Sequence, residues 1–201
     1  MVKDINTENA ILRAAEEIFF DKGYAGAKTT EIAKKAGVNH AMLHYYYRTK
    51  ENLFQIVFKR NVELLAKSVF SVIDREGDFK QVISEAIGNH FDFVRKNPKL
   101  VLFIVNEVNS NSSSDKIWRE VSKPIFSSVV KSVMERIDQE KKAGNIRDIN
   151  PLNFVVTIIS LNLFIFIARP LLSTLTTQDF EAFLDQRKKE NIRLALLALQ
   201  P

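Results

Sequence analysis

Between Thr49 and Ile73 the chain contains no glycine or proline, and its apolar residues fall at Leu53, Phe54, Val57, Phe58, Leu64, Leu65, Val69, Val72 and Ile73. Steps of three and four residues gather such side chains on one stripe of an α-helix and scatter them over both faces of a strand. The sequence therefore demands a rod of about 25 residues, roughly 37 Å long. It ends before the Glu76-Gly77 break, and whatever else the chain forms must pack along it.

The remaining segments have the same character. Only 6 Gly and 5 Pro among 201 residues leave few of the tight turns that an all-β fold needs. Ile11, Ala15, Ile18 and Phe19 predict a helix from Thr7 to Lys22, opened by Asn6 or Thr7 and closed by Gly23. A short helix follows Thr29-Thr30, with Ile32, Ala33 and Ala36 inward and Gly37 ending it. Another starts at Asn39 as its cap and ends near Tyr45 or Tyr46. Beyond Gly77, helical periods run over 79–94, 98–108 and 115–142, then onward from Pro151, which suits the first helical position. Pro124 predicts a kink, residues 109–114 (NSNSSS) a polar loop, and Thr177 the cap of a last helix. The expectation is an all-α protein of about nine helices with no strand.

Charge is placed unevenly. From Lys22 to Arg60 there are eight basic residues and two acidic ones, an excess larger than the +5 of the whole chain. The absence of cysteine excludes a disulfide framework and a thiolate zinc site. The polar start MVKDINTENA lacks the apolar core of a signal peptide, and together these point to a cytoplasmic protein. The apolar run from Phe154 to Ala168 is shorter than the ~20 residues of a membrane span and includes Thr157, Ser160 and Asn162. A buried helix is the better reading, with no membrane partner.

The basic segment contains two short helices joined through Gly37-Val38, with the first helix behind them. That is the outline of a helix-turn-helix, whose second helix enters the major groove of DNA. Asn39 and the free N–H groups of His40, Ala41 and Met42 form an anion site at the helix start. His44 and Tyr45 lie one turn on. Lys50 opens the long helix, where the helix dipole disfavours a cation; a bound phosphate reverses that balance.

Phe19 with Gly23-Tyr24, Thr29-Thr30, Ile32-Ala33, Ala36-Gly37-Val38, Leu43, Tyr46, Lys50-Glu51 and Leu53 together resemble the tetracycline-repressor (TetR) family of bacterial regulators, over roughly Ala10 to Phe54. The resemblance implies a three-helix DNA-binding head over residues 1–49 and a larger helical body over 50–201 that dimerises and holds an inducer. Carried over residue by residue, the DNA-contacting positions are Thr30, Asn39, His40, Ala41, Met42, His44, Tyr45, Tyr46 and Lys50. The pattern departs from the usual one at Asn39, where Ser is common, at Ala41, where Gly is frequent, and at His44, where Tyr is usual.

The same residues suit competing roles. His40 and His44 have a zinc-compatible spacing, but Ala41 stands where HExxH needs Glu, so no metal or cofactor is expected. Tyr46 and Tyr47 also suit core positions, and Lys34 and Lys35 a solvated face. In the body, Phe91, Phe103, Phe126 and Phe164 are candidates for the pocket of an apolar or aromatic small-molecule inducer. Asn153, Thr157 and Ser160 either anchor that ligand or bond back to the preceding turn. The excess apolar surface of the last helices makes Ile158, Leu161, Ile165, Ile192, Ala195, Leu196 and Leu199 candidates for a homodimer interface. No nucleophile, base or phosphate-loop constellation suggests an enzyme. The expected function is a ligand-released repressor that binds a pseudo-palindromic operator in double-stranded DNA. The alternative is a helical interaction module with weakened or lost DNA binding.

Overall fold

The computed structural model describes residues 4–73, 75, 77–109, 119–120, 123–176 and 179–201, and among these it contains ten α-helices and no strand. They are α1 (Ile5–Gly26), α2 (Thr29–Lys35), α3 (His40–Tyr47), α4 (Lys50–Ile73), α5 (Phe79–Lys96), α6 (Pro98–Asn109), α7 (Lys123–Lys142), α8 (Pro151–Ile167), α9 (Arg169–Leu175) and α10 (Phe180–Ala198). The helix beyond the nine expected is α9. It arises because α8 stops at Ile167 and the chain resumes around Pro170, with a bend of 76°. One expectation about a helix start changes: Asp4, not Asn6 or Thr7, caps α1 by accepting from Asn6 N. Helix α7 is described from Lys123, and residues 121–122 just ahead of Pro124 lie outside the described residues, as does the kink expected there. Thr177 and most of the NSNSSS loop lie outside the described residues; the cap seen on α10 is Asp179, which accepts from Ala182 N.

The chain forms two compact units. Residues 1–63 and 99–124 make one, and residues 64–98 and 125–201 the other, so α4 contributes residues to both.

Aromatic packing organises the first unit. Phe54 contacts Phe19 at 5.0 Å between ring centres, Tyr24 at 4.8 Å, Phe58 at 5.5 Å and Phe103 at 5.7 Å. Phe103 comes from α6, so the three N-terminal helices do not complete this core by themselves. Gly23 interrupts α1 with φ 65° and ψ 179°, a conformation almost confined to glycine. A Cβ there would stand 2.9 Å from Glu107 Oε1. That carboxylate, buried on α6, accepts from Tyr24 N at 2.7 Å. The break thus frees an N–H, and a buried acid receives it.

The second unit is built on α5. Its Val82, Ile83, Ala86 and Ile87 join Val72 and Ile73 of α4, Val133 and Ile137 of α7, Phe154 and Val155 of α8, and Ala195 and Leu199 at the end of the chain. Arg95 ties α5 to α10 through Glu181 (2.7 Å) and Asp185 (2.6 Å), and Lys188 meets Asp92 at 2.5 Å. Pro151 takes the first turn of α8, as the sequence indicates, behind a cap from Asn150 that accepts from Asn153 N. Among the described residues no single helix is long and apolar enough to cross a membrane.

Candidate nucleic-acid interface and body cavity

The turn between α2 and α3 works because Gly37 takes φ 71°, which a side chain disfavours. Val38 N then closes on Ala33 O at 3.0 Å. Ile32, Ala33, Leu43 and Tyr47 are buried, so the opposite faces of both helices are fixed outward. Asn39 Oδ1 accepts from Met42 N at 2.7 Å, which orients the first turn of α3.

Thr30, Asn39, His40, Ala41, His44 and Tyr45 are all exposed, with Met42 and Tyr46 half-buried. The structure therefore brings most of the sequence-chosen positions onto one surface. His40 Nε2 is 2.9 Å from Thr29 Oγ1, and its ring stands edge-on to that of His44 at 4.5 Å. His44 Nδ1 is 2.8 Å from Arg48 O. A carbonyl only accepts, so Nδ1 carries the proton and the neutral ring offers Nε2 as an acceptor. In that form His44 suits an amino group on a base edge; only the imidazolium donates to a phosphate. The Tyr46 hydroxyl takes Asp4 N–H at 2.8 Å and reaches Asp4 O at 3.3 Å, holding the start of α1. The buried Tyr47 hydroxyl donates to Glu8 O, and burial raises its pKa.

Lys50 occupies the first position of α4, yet its ammonium is folded inward. Nζ lies 3.4 Å from Ala25 O and 4.6 Å from the centre of the Tyr24 ring, and partial burial lowers its pKa. Three other cations lie outside the sequence-chosen contacts, Lys34 among them as part of the expected solvated face. Lys28, Lys34 and Arg48 are exposed and, among the described residues, belong to no ion pair, whereas Lys22 and Lys35 are held by Glu31 and Glu17. The signal for Arg48 was its position directly after α3. It caps that helix with φ 61°.

The second unit contains a cavity of about 100 Å³ lined by Leu65 and Ala66 of α4, Ile83, Ile87 and His90 of α5, Phe126, Val130 and Val133 of α7, and Phe154, Val155 and Ile158 of α8. Of the sequence-chosen pocket residues, Phe126 lines it. Phe91 is buried against Phe166 at 5.2 Å, and Phe103 belongs to the first unit. Asn153, Thr157, Ser160 and Phe164 lie on the exposed face of α8. Thr157 and Ser160 donate to the carbonyls of Asn153 and Val156, each at 2.8 Å, which is the back-bonding alternative.

Of the seven interface candidates, Ile165, Ala195 and Leu199 are buried within the unit itself, and Ile158, Leu161, Ile192 and Leu196 are half-buried. The outward apolar surface comes from their neighbours: Val156, Ile159, Phe164 and Ile167 on α8, Leu171 and Leu175 on α9, and Leu194 and Leu197 on α10.

Comparison with known proteins agrees with this geometry. Residues 11–57 match the family model of bacterial regulatory proteins, tetR family. The chain is 34% identical over 84 residues to the HTH-type transcriptional activator FasR of Mycolicibacterium smegmatis, a match over 42% of this chain and 38% of that protein. The chain spans less than two thirds of the length of the first curated relatives it matches. Among solved structures it is similar to the transcriptional regulator FadR of Bacillus subtilis in complex with stearoyl-CoA (TM-score 0.72, 16% identity, 96% of this chain and 100% of that one). It is also similar to AibR in complex with isovaleryl coenzyme A and operator DNA (TM-score 0.66, 21% identity, 80% and 85%). These two likenesses establish the fold.

Proposed function

The chain belongs to the TetR family of bacterial regulatory proteins, and from that premise we propose that it is a ligand-released repressor, binding a pseudo-palindromic operator as a homodimer. The observation that carries the reading is the outward face of α2 and α3. There a capped helix start, two histidines and an exposed tyrosine share one surface, and the exposed cations Lys28, Lys34 and Arg48 lie on the same pair of helices or directly beside them. Base-edge contacts from α3 supply sequence preference, and the cations supply phosphate attraction. On this reading residues 1–49 are the DNA-binding head, and the residues from 50 onward hold the ligand and the dimer contact.

The dimer is proposed to cover the exposed apolar face of α8, α9 and α10, with Leu161 and Leu196 at its edge. Two heads then span successive major grooves, ~34–36 Å apart. The ligand occupies the body cavity and acts by binding one head spacing better than the other, since equal binding shifts nothing. The complexes of FadR with stearoyl-CoA and of AibR with isovaleryl coenzyme A and the apolar cavity lining both favour an acyl group as the part enclosed.

The test is fluorescence anisotropy against labelled DNA from immediately upstream of the protein's own gene, beside a scrambled fragment, at two salt concentrations. The reading expects tight binding to the first fragment alone, weakening steeply with salt. Weak and equal binding to both, followed by an unbiased site selection that enriches no sequence, would overturn it in favour of an interaction module.

A further inference from the structure

We propose that His90 is the recognition residue of the body cavity, donating its Nε2–H to a neutral ligand that carries one carbonyl-type acceptor on an apolar frame. The inference rests on the reading of that cavity as a ligand site, and it specifies what the site accepts.

The proton's position on His90 follows from a chain of partners that each have a single possible role. Arg187 only donates, and its Nη2 is 2.7 Å from Asn191 Oδ1. Asn191 Nδ2 therefore donates, to Leu161 O at 3.1 Å and to Asn162 Oδ1 at 3.0 Å. That orients the Asn162 amide, whose Nδ2 donates to Ile87 O at 3.0 Å and to His90 Nδ1 at 3.0 Å. Both asparagines are fully buried, and each amide proton named has a bond. Since Nδ1 of His90 accepts, the neutral ring carries its hydrogen on Nε2.

His90 is 7% exposed and lines the cavity. With Nδ1 held by Asn162, the ring edge that remains for the cavity carries Nε2–H, and no described residue accepts from it. Buried donors are nearly always satisfied, so a fixed donor at the wall of an apolar cavity selects an occupant with an acceptor. An ionised occupant is disfavoured. No other lining residue among those described is polar or charged, and an unpaired charge in apolar surroundings is heavily penalised. On α5 and α10, Lys188 is committed to Asp92 and Arg187 to Asn191. Burial also keeps the imidazole neutral, with its pKa lowered to about 4.

The experiment uses three probes on the full chain, methyl hexanoate, octane and hexanoate, with binding read by thermal shift and by long-range ¹H–¹⁵N correlation of the histidine rings. The ring spectrum of the ligand-free protein is expected to show His90 as the Nε2–H tautomer. The ester should bind roughly three- to tenfold tighter than octane, the worth of one buried hydrogen bond, and move the Nε2–H resonance; hexanoate should bind weakest. His90→Phe keeps the ring and should equalise ester and alkane. Binding of ester and octane with equal affinity, an Nδ1–H tautomer, or an ester preference that survives His90→Phe overturns the proposal and leaves the cavity a ligand site. If none of the three probes binds the wild type, the ligand-site reading fails and the proposal with it. The tautomer and the wild-type preference decide the matter even where His90→Phe does not fold.

Discussion

Acidification should weaken the second unit through His90 by an amount the structure sets. Burial lowers the folded pKa from 6.5 to about 4. Between those values the unfolded chain holds the proton and the folded one does not, so stability must fall as pH falls. The contribution is complete above pH 6.5 and is lost on descending toward pH 4. By pH 5 the loss is roughly 2 kcal/mol, rising to about 3 kcal/mol below the folded pKa. Geometry gives the same sign: a protonated Nδ1 would point its hydrogen at Asn162 Nδ2, which already donates. The assay is urea unfolding at pH 8 and pH 5, at fixed protein concentration, of the wild type and His90→Gln. Glutamine can accept from Asn162 and does not titrate. The exposed His40 and His44, common to both proteins, cancel in the comparison. The wild type should lose about 2 kcal/mol more than the variant across this range. Parallel losses would refute both the burial argument and the role assigned to Asn162.

Four further outcomes follow from the geometry. Gly23→Ala forces a side chain into a backbone region reserved for glycine and against Glu107, and should cost about 2 kcal/mol or more in thermal or urea unfolding; a neutral result would mean that α1 does not break there. Asn39→Ala removes the cap bond to Met42 and should cost about 1 kcal/mol, whereas Asn39→Asp keeps the cap and stability but weakens DNA binding by setting a carboxylate at the groove. Lys50→Ala should lower the slope of log affinity against log salt by about one if its ammonium leaves Ala25 for a phosphate; an unchanged slope in a titration series would mean it stays on Tyr24. Phe164→Glu with Leu197→Glu should give a monomer in sedimentation, and a persistent dimer would place the interface elsewhere.

What the sequence could reveal divides along the range of the interactions. Asn39 and Pro151 act on backbone within three residues of themselves, so their cap and first-turn roles were readable, and the long apolar stripe sufficed to give α4. Phe103 was not readable as a head residue. Nothing near it in sequence says that α6 packs against Phe54 and Phe58. The role of His90 was not readable, because its partner Asn162 lies 72 residues away on α8, and the Asn191 that orients Asn162 lies on α10. A trace existed in Asn162, set in the apolar run Leu161 to Ile165, but an amide in such a run reads equally as back-bonding. Lys50 was placed by its helix position, which fixes where the chain enters α4. Where the ammonium goes is decided by Tyr24 and Ala25, and these belong to a different helix.

The tie between Glu107 and Tyr24 also sets an order of events during synthesis. Tyr24 leaves the ribosome long before its hydrogen-bond acceptor and the Phe103 ring exist. At ~5–20 residues per second, the N-terminal helices wait several seconds for the segment that closes their core. Throughout that interval Phe54 and Phe58 lack part of their cover, and the newborn head is a client for chaperones. A fragment ending after α4 would stay in that condition permanently, so a soluble stand-alone head would have to be obtained by redesigning the α6-facing rings Phe54 and Phe58, not by trimming the chain.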